Sequence, residues 1–403
     1  MIDQNRTNHE LTEADSLRVW DAVVIGAGPA GSVCARQLAL AGYRVLLIDK
    51  EQFPRHKPCG DLLIPDAMAV LKRLDLLEAV SIQANRLNVI KVYSPSGIDF
   101  IVPADYLALS RKRLDAILAS AAVEAGAVFV REWVKAMVQS DDRVTLEIGN
   151  QTVSARIAVI ATGASIDLAG NLELVSRSEP SAVAIRQYVK SSEPLNEVLL
   201  SYDRSLLPGY AWIVPLPDGW FNVGCGITVR NKDTHQSNLK GMLREFTERF
   251  EPAVRLMQTA SSVSPINGAA LRTGLSGLKA LTSGRVICIG ETTGTTFPFT
   301  GEGIGKAIHT AELASGLIDQ CLKEGHPASL SRFEGILETS IKPLYRGYFL
   351  AERWLSYPWL NDFIARRIRR SRFMQTRVEE FMNETGDPSR LYSPWTIMKS
   401  YWK

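Results

Sequence analysis

The stretch Gly26-Ala27-Gly28-Pro29-Ala30-Gly31 limits what this 403-residue chain can fold into more than any other. It follows the apolar, β-branched run 22–25, which reads as a buried strand, and it opens a helical pattern that Gly42 stops. A second strand, 44–48, ends at Asp49, eighteen residues after Gly31. In a G-x-G-x-x-G turn the first glycine permits the tight bend, the second a close approach to a pyrophosphate, and the third tight helix packing. The helix N-terminus then faces the phosphates. An acid at the end of the second strand accepts hydrogen bonds from a ribose hydroxyl. The order strand, glycine turn, helix, strand, acid predicts a doubly wound α/β domain that binds a dinucleotide. By itself it does not separate a flavin from a nicotinamide.

The rest of the chain extends this pattern. Residues 66–80 and 111–125 read as helices. Residues 86–93 and 98–102 alternate as a hairpin around Ser94-Pro95-Ser96-Gly97, and 133–139, 143–148 and 151–154 read as strands. Buried strands at 157–160 and 286–290, and a helix over 304–317, return to the first pattern. Between about 180 and 230 the text is mostly strand and predicts a separate antiparallel sheet. The reading is therefore α/β (α+β overall), with a nucleotide-binding domain from 19–80, 104–165 and 270–330. A β-rich substrate domain is inserted from 81–103 and 166–269. Residues 1–18 read as a flexible leader and 331–403 as a basic, aromatic helical segment.

Four further stretches point to a family. Gly290-Glu291-Thr292-Thr293-Gly294, continued by Phe297-Pro298-Phe299-Thr300-Gly301-Glu302-Gly303-Ile304, resembles the second FAD fingerprint of glutathione-reductase-like flavoproteins, in which Asp usually stands where this chain has Glu291. Phe53-Pro54-Arg55-His56-Lys57-Pro58-Cys59-Gly60 resembles the P-x-x-K-x-CG stretch of the geranylgeranyl reductase family. Gly209-Tyr210-Ala211-Trp212-Ile213-Val214-Pro215 with Gly224-Cys225-Gly226 resembles that family's Y-x-W-x-F-P…G-x-G motif, with Val214 in place of Phe. Ser110-Arg111-Lys112-Arg113-Leu114-Asp115 resembles its V-D-R-x-x-F-D helix start.

The resemblance implies a Rossmann-like FAD domain. It implies cofactor contacts at Gly26, Gly28, Pro29, Ala30, Gly31, Asp49, Lys50, Lys57, Cys59, Gly60, Arg111, Val134, Gly163, Gly290, Glu291, Pro298, Gly301, Gly303 and Ile304. The chemistry it implies is hydride delivery from N5 of reduced FAD to C=C bonds of a prenyl or other hydrophobic substrate. Cys59, Tyr210 and Trp212 are the catalytic candidates. The alternative within the fold is an FAD monooxygenase or halogenase, using oxygen at flavin C4a on an aromatic or polyketide metabolite. Aromatic hydroxylases usually carry D-A-A-H and GQG-x-N segments and halogenases W-x-W-x-I-P, which this chain lacks. No separate NAD(P)H module is evident, so the reductant is NAD(P)H, a ferredoxin or a flavin reductase.

Each candidate also has a plain reading. Cys59 is either a thiol beside the flavin or a small buried hydrophobe. Lys57 is either a cofactor contact or a solvated loop residue, and Glu302 reads as a helix-start residue. Tyr210 and Trp212 share one face of a strand, as a tunnel wall or as an ordinary core pair. The net charge of +3 is too small for a nucleic-acid binder. Five scattered cysteines show no disulfide framework and, with the histidines, no metal spacing. From Ser340 onward twelve Lys and Arg stand against six acids, with four of the eight tryptophans. That mixture suits an interfacial surface, while the run Arg366-Arg367-Ile368-Arg369-Arg370-Ser371-Arg372 fits equally a solvated helix face. With no apolar leader and no spanning run, the expected location is cytoplasmic or peripheral on the inner membrane face. The expected partners are a hydrophobic or lipid substrate and an electron donor.

Overall fold

A computed structural model of the chain describes residues 11–176, 180–207, 209–229, 238–386 and 388–402. The short β-branched runs form the centre of the first sheet. There Val286–Cys288, Gln151–Ile160, Val19–Ile25, Val45–Asp49 and Val128–Arg131 lie side by side, all parallel. A parallel sheet must be covered on both faces, which is why these strands read as continuous apolar text. Helices Pro29–Leu40, Arg111–Glu124 and Ile304–Glu324 cover one face through Val33, Leu38, Leu118 and Ile308. The hairpin Val134–Gln139 and Val144–Ile148 covers the other with Leu146 and Ile148. Registers Ile25↔Ile48 and Ile25↔Ile160 bring the carboxyl ends of the strands to one edge. The loops after Ile25, Asp49, Ile160 and Cys288 therefore meet, at the place where an open α/β sheet offers a ligand crevice.

Among the described residues the second sheet has nine strands. It is antiparallel except where Val198–Ser201 runs parallel to Asn85–Tyr93. One face packs on helices Leu239–Arg249 and Glu251–Gln258 through Ile185, Val189, Leu243 and Leu256. The other face turns toward the first domain's loops and the C-terminal helices.

The structure changes several expected boundaries. The strands Leu62–Leu63 and Asp99–Ala108 both belong to the second sheet, so that sheet crosses the line drawn at 103 and reaches back to 62. Its strand Asn267–Leu271 likewise passes 269. The helix expected over 66–80 is two helices, Pro65–Arg73 and Leu77–Ser81, parted at Asp75 with φ 55°. The expected flexible leader contains the helix Glu13–Leu17, started by a Thr12–Asp15 capping box and tied by Trp20 Nε1 donating to the Asp15 carbonyl at 3.2 Å. Residues 1–10 of that leader lie outside the described residues.

The C-terminal segment forms helices Lys342–Leu355, Pro358–Arg370, Arg372–Met382 and Pro394–Lys399. They are stitched onto both domains. Tyr348 stacks on Phe297 at 4.0 Å, and Tyr345 OH donates to the Thr295 carbonyl at 2.8 Å. Asp362 accepts from Ser94 Oγ at 2.6 Å and from the Ser96 N–H at 2.9 Å. Lys306, buried near the start of its helix, pairs with Asp66 at 2.8 Å and with Glu384 at 4.0 Å, while Tyr348 OH donates to Glu384 at 3.2 Å.

Burial and the neighbouring Asp66 push the Glu384 carboxyl up to about 7, against the pull of Lys306. An acid whose pKa is raised by folding adds stability that is complete below its unfolded value and is lost as pH rises through the folded one. Thermal stability should therefore fall between about pH 4.5 and pH 7. Glu384→Gln should reduce that fall, read as melting temperature against pH by circular dichroism.

Candidate active site

The glycine turn is shaped by backbone contacts. Gly26 has φ 100°, and a Cβ there would lie 2.4 Å from the Ala161 carbonyl oxygen; a Cβ on Gly31 would lie 1.7 Å from the Gly26 oxygen. At Gly28 the nearest atoms to such a Cβ are guanidinium tips, Arg55 Nη2 at 3.5 Å and Arg111 Nη2 at 4.0 Å. The open side of the turn thus faces two cations and the N-terminus of Pro29–Leu40, which is an anion site. Both arginines lean on the fully buried Asp115. Arg111 grips it with Nε at 2.7 Å and Nη2 at 2.9 Å, and Arg55 Nη2 lies 3.2 Å away. Arg55 Nε also lies 3.9 Å from Asp49 and has no hydrogen-bond partner, so its guanidinium spans the Asp49 and Asp115 carboxylates at the mouth of the turn. Asp49 accepts the Ala27 N–H at 2.8 Å and the Glu51 N–H at 3.0 Å, which fixes its carboxylate and leaves each oxygen a second lone pair.

The Cys59-Gly60-Asp61 segment is held by one carboxylate. Asp61 is fully buried with φ 62°. It accepts the Arg111 N–H at 2.9 Å, Tyr188 OH at 2.7 Å and Asn222 Nδ2 at 2.8 Å. The Asn222 amide also donates to the Cys59 carbonyl at 2.7 Å and receives Trp212 Nε1 at 2.9 Å. Burial pushes the Asp61 carboxyl up, and Tyr188, the Arg111 amide and Asn222 pull part of that back. Burial likewise pushes the Cys59 thiol up, partly offset by Arg111 beside it.

Opposite, Glu291 lies 3.9 Å from Lys57 Nζ and accepts the Arg272 N–H at 3.4 Å, with Gly163 beside the pair. Gly301 takes φ 69°, and a Cβ on Gly303 would meet Thr296 Oγ1 at 2.4 Å, so both glycines shape the entry to the helix that Ile304 begins.

These groups line one cavity of about 630 Å³. One arm is the polar groove lined by Asp49, Gly28, Arg111, Lys57, Glu291 and Ile304, together with Lys50 and Val134. Gly31, Gly290 and Pro298 do not line it. Gly31 and Gly290 act through packing: a Cβ on Gly290 would meet that of Ala30 at 2.8 Å. The second arm is apolar. Ile90, Val92, Leu200, Tyr202 and Tyr210 form its sheet wall, and Ile364, Ile368, Val378, Phe381 and Tyr392 of the C-terminal segment form the opposite wall. Tyr210 and Trp212 do share a face, 5.8 Å apart, and Trp212 occupies the space over Gly224, whose Cβ would lie 2.4 Å from the indole. Sequence reading missed Arg55, Asp61, Asp115, Tyr188 and Asn222, and it missed the C-terminal wall. Only Asp115 carried a local signal, four residues after Arg111 on one helix face.

The groove fits a flavin-adenine dinucleotide on its own terms: glycines where a side chain would block the turn, an orphaned buried Arg55 Nε, and two helix N-termini pointing in. Comparison with known proteins agrees. Residues 20–175 match the FAD binding domain family. The chain is 32% identical over 325 residues to a menaquinone reductase of Mycolicibacterium smegmatis, covering 74% of this chain and 76% of that one. It is 28% identical over 323 residues to digeranylgeranylglycerophospholipid reductase 1 of Methanosphaera stadtmanae, covering 75% and 76%. A geranylgeranyl bacteriochlorophyll reductase-like protein of Thermoplasma acidophilum has the same fold, with TM-score 0.75, 19% identity and 96% of each chain covered. FAD is the cofactor.

Gly31→Ala should cost about 1–3 kcal/mol through overpacking against backbone that cannot yield. The purified protein should lose its 450 nm flavin absorbance. Because its thiol is raised, Cys59 in the FAD-free protein should react slowly with iodoacetamide at pH 7 and faster only above the ordinary thiol range, read by peptide mass against pH.

Proposed function

We propose a prenyl-reducing function from the premise that this chain belongs to the geranylgeranyl reductase family of FAD-dependent oxidoreductases. The reaction is saturation of a C=C bond in an isoprenoid chain carried by a lipid or quinone head. The observation that carries it is the apolar arm, which joins the cofactor groove at Tyr210 and Trp212 and is lined mainly by aliphatic and aromatic side chains, with Asn361 and Glu302 as polar exceptions. An isolated alkene offers no polar handle, so its binding energy comes from burial, about 0.8 kcal/mol per methylene.

Bound in the groove, FAD supplies two-electron reduction. The chain's residues do the rest. The Gly28 turn with Arg55 and Arg111 would hold the pyrophosphate, Asp49 the adenosine ribose, and Lys57 with Glu291 the ribityl end. The positive end of the helix opened by Gly303 and Ile304 would stabilise negative charge on the ring. Tyr202 and Phe299, stacked at 5.8 Å, together with Tyr210, exclude water from the arm and hold the chain extended. Cys59, kept neutral by burial, gives the inner end an uncharged surface. On the outside, the C-terminal segment exposes Trp359 (68%), Trp395 (65%) and Trp402 (89%), with Arg366, Arg369 and Arg370 also exposed. Aromatic and cationic groups together favour an anionic bilayer surface, from which a lipid substrate enters the arm. Among the described residues no helix is long and apolar enough to cross a membrane.

The test is anaerobic. Reduced holoprotein is mixed with a prenyl quinone or geranylgeranyl lipid, and the flavin spectrum and product mass are followed. The expected result is flavin reoxidation without oxygen and a gain of two hydrogens by the prenyl chain. Flavin that stays reduced until oxygen is admitted, whatever the prenyl acceptor, would refute the reading and favour oxygenation or halogenation. Supplying NAD(P)H, ferredoxin or a flavin reductase in turn identifies the donor.

A further inference from the structure

At the junction of the two arms lies a carboxyl that the fingerprint resemblance left as a helix-start residue. Glu302 is half-buried and lines the cavity. Its backbone is fixed by the Phe297 N–H donating to its carbonyl at 2.8 Å. Its carboxyl acts electrostatically on Tyr106, Tyr202 and Tyr210, which line the apolar arm, and on Tyr348 behind them. No cation forms an ion pair with it among the described residues.

Behind Glu302 stands a buried cluster. Asp66 is 2.8 Å from Lys306 Nζ, and Glu384 is 4.0 Å from the same nitrogen. The Asp66 carboxylate presses on the first turn of Ile304–Glu324, within 2.3 Å of where a Gly305 Cβ would stand. Asp66 Oδ1 and Glu384 Oε2 are buried without hydrogen-bond partners. Two carboxyls share one ammonium in a low-dielectric space with Glu302 in front of them, and like charges so placed cannot all ionise. Burial, then Glu384 and Asp66, push the Glu302 carboxyl well above the carboxylate range, while Lys306 opposes. Of the three, Glu302 is the one that lines the cavity.

Resting on the prenyl-reducing reading, we propose that Glu302 is the proton donor to the alkene held in the apolar arm, and that Glu384 and Asp66, steadied by Lys306, return the proton to it. The step balances. The Oε–H bond of Glu302 breaks as a C–H bond forms on one alkene carbon with the π electron pair. The other carbon takes a hydrogen with its electron pair from the reduced flavin. The carboxylate left on Glu302 is reprotonated from the cluster and, through it, from solvent.

The holoprotein carrying Glu302→Gln tests this, with its flavin absorbance as the control for folding and loading. Infrared difference spectra in H2O and D2O at pH 7 should show a protonated-carboxyl C=O band in the wild type. One component of that band should be lost in Glu302→Gln and kept in Cys59→Ala, while the Glu384 component, raised to about 7, remains in both. Anaerobic reoxidation by the prenyl acceptor should fall about 10²-fold or more in Glu302→Gln, the scale of general acid catalysis, with partial recovery in Glu302→Asp. In D2O the wild-type product should carry two deuteriums per bond reduced, one from the exchangeable N5 position of reduced flavin and one from the carboxyl. Glu384→Gln should displace the pH profile of the rate without abolishing it, with Asp66, Lys306, Tyr106 and Tyr348 the remaining titratable groups around it. A wild-type rate in Glu302→Gln, or an unchanged carboxyl band, overturns the proposal alone. A wild type inert toward every alkene overturns the prenyl reading itself, and the band, which needs no substrate, separates the two failures.

Discussion

One buried carboxylate organises this molecule. Asp61 sits in a left-handed backbone conformation, fully buried, and gathers donors from three separate parts of the chain: the first amide of Arg111–Glu124, a phenol from Ala182–Ser191 and an amide from Trp220–Thr228. A buried carboxylate without those donors would cost several kcal/mol, so the loop, the helix and the second sheet are obliged to meet there. That meeting sets the Cys59 segment against Trp212 and turns the Arg111 guanidinium back onto Asp115. The phosphate end and the apolar end of the cavity are thereby fixed relative to each other by polar contacts between domains, with hydrophobic packing filling in around them.

How much of this was legible in the sequence depended on whether the constraint was local. The glycine turn, the buried strands and the paired phases of Tyr210 and Trp212 are dictated by near neighbours, and they read correctly. The second fingerprint was legible as a motif, although its glycines answer to side chains elsewhere, Gly290 to Ala30 and Gly303 to Thr296. Asp61 was not legible, because its meaning lies in Tyr188 and Asn222, more than a hundred residues off. The boundaries failed for a related reason. Asp99–Ala108 is buried only toward its end, and nothing in its own text says which sheet it joins. In the tail, Arg366 to Arg372 read as charge, yet Ile364 and Ile368 on the same helix are buried and line the cavity.

The two arms of the cavity use opposite physics. The groove is built from backbone clearances and fixed charges, which a phosphate-bearing cofactor matches group by group. The apolar arm has few directional contacts and gains its selectivity from shape and dryness. Where they join, the chain places tyrosines and a carboxyl whose ionisation burial disfavours.

The helix Pro358–Arg370 belongs to two surfaces at once. Ile364 and Ile368 wall the apolar arm, while Trp359, Arg366, Arg369 and Arg370 face outward. Any displacement of this helix alters both, so occupancy of the arm and the surroundings of the outer face are thermodynamically linked. Whatever favours one position of the helix from outside changes the affinity of the arm by a given factor, and filling the arm changes the outer affinity by the same factor.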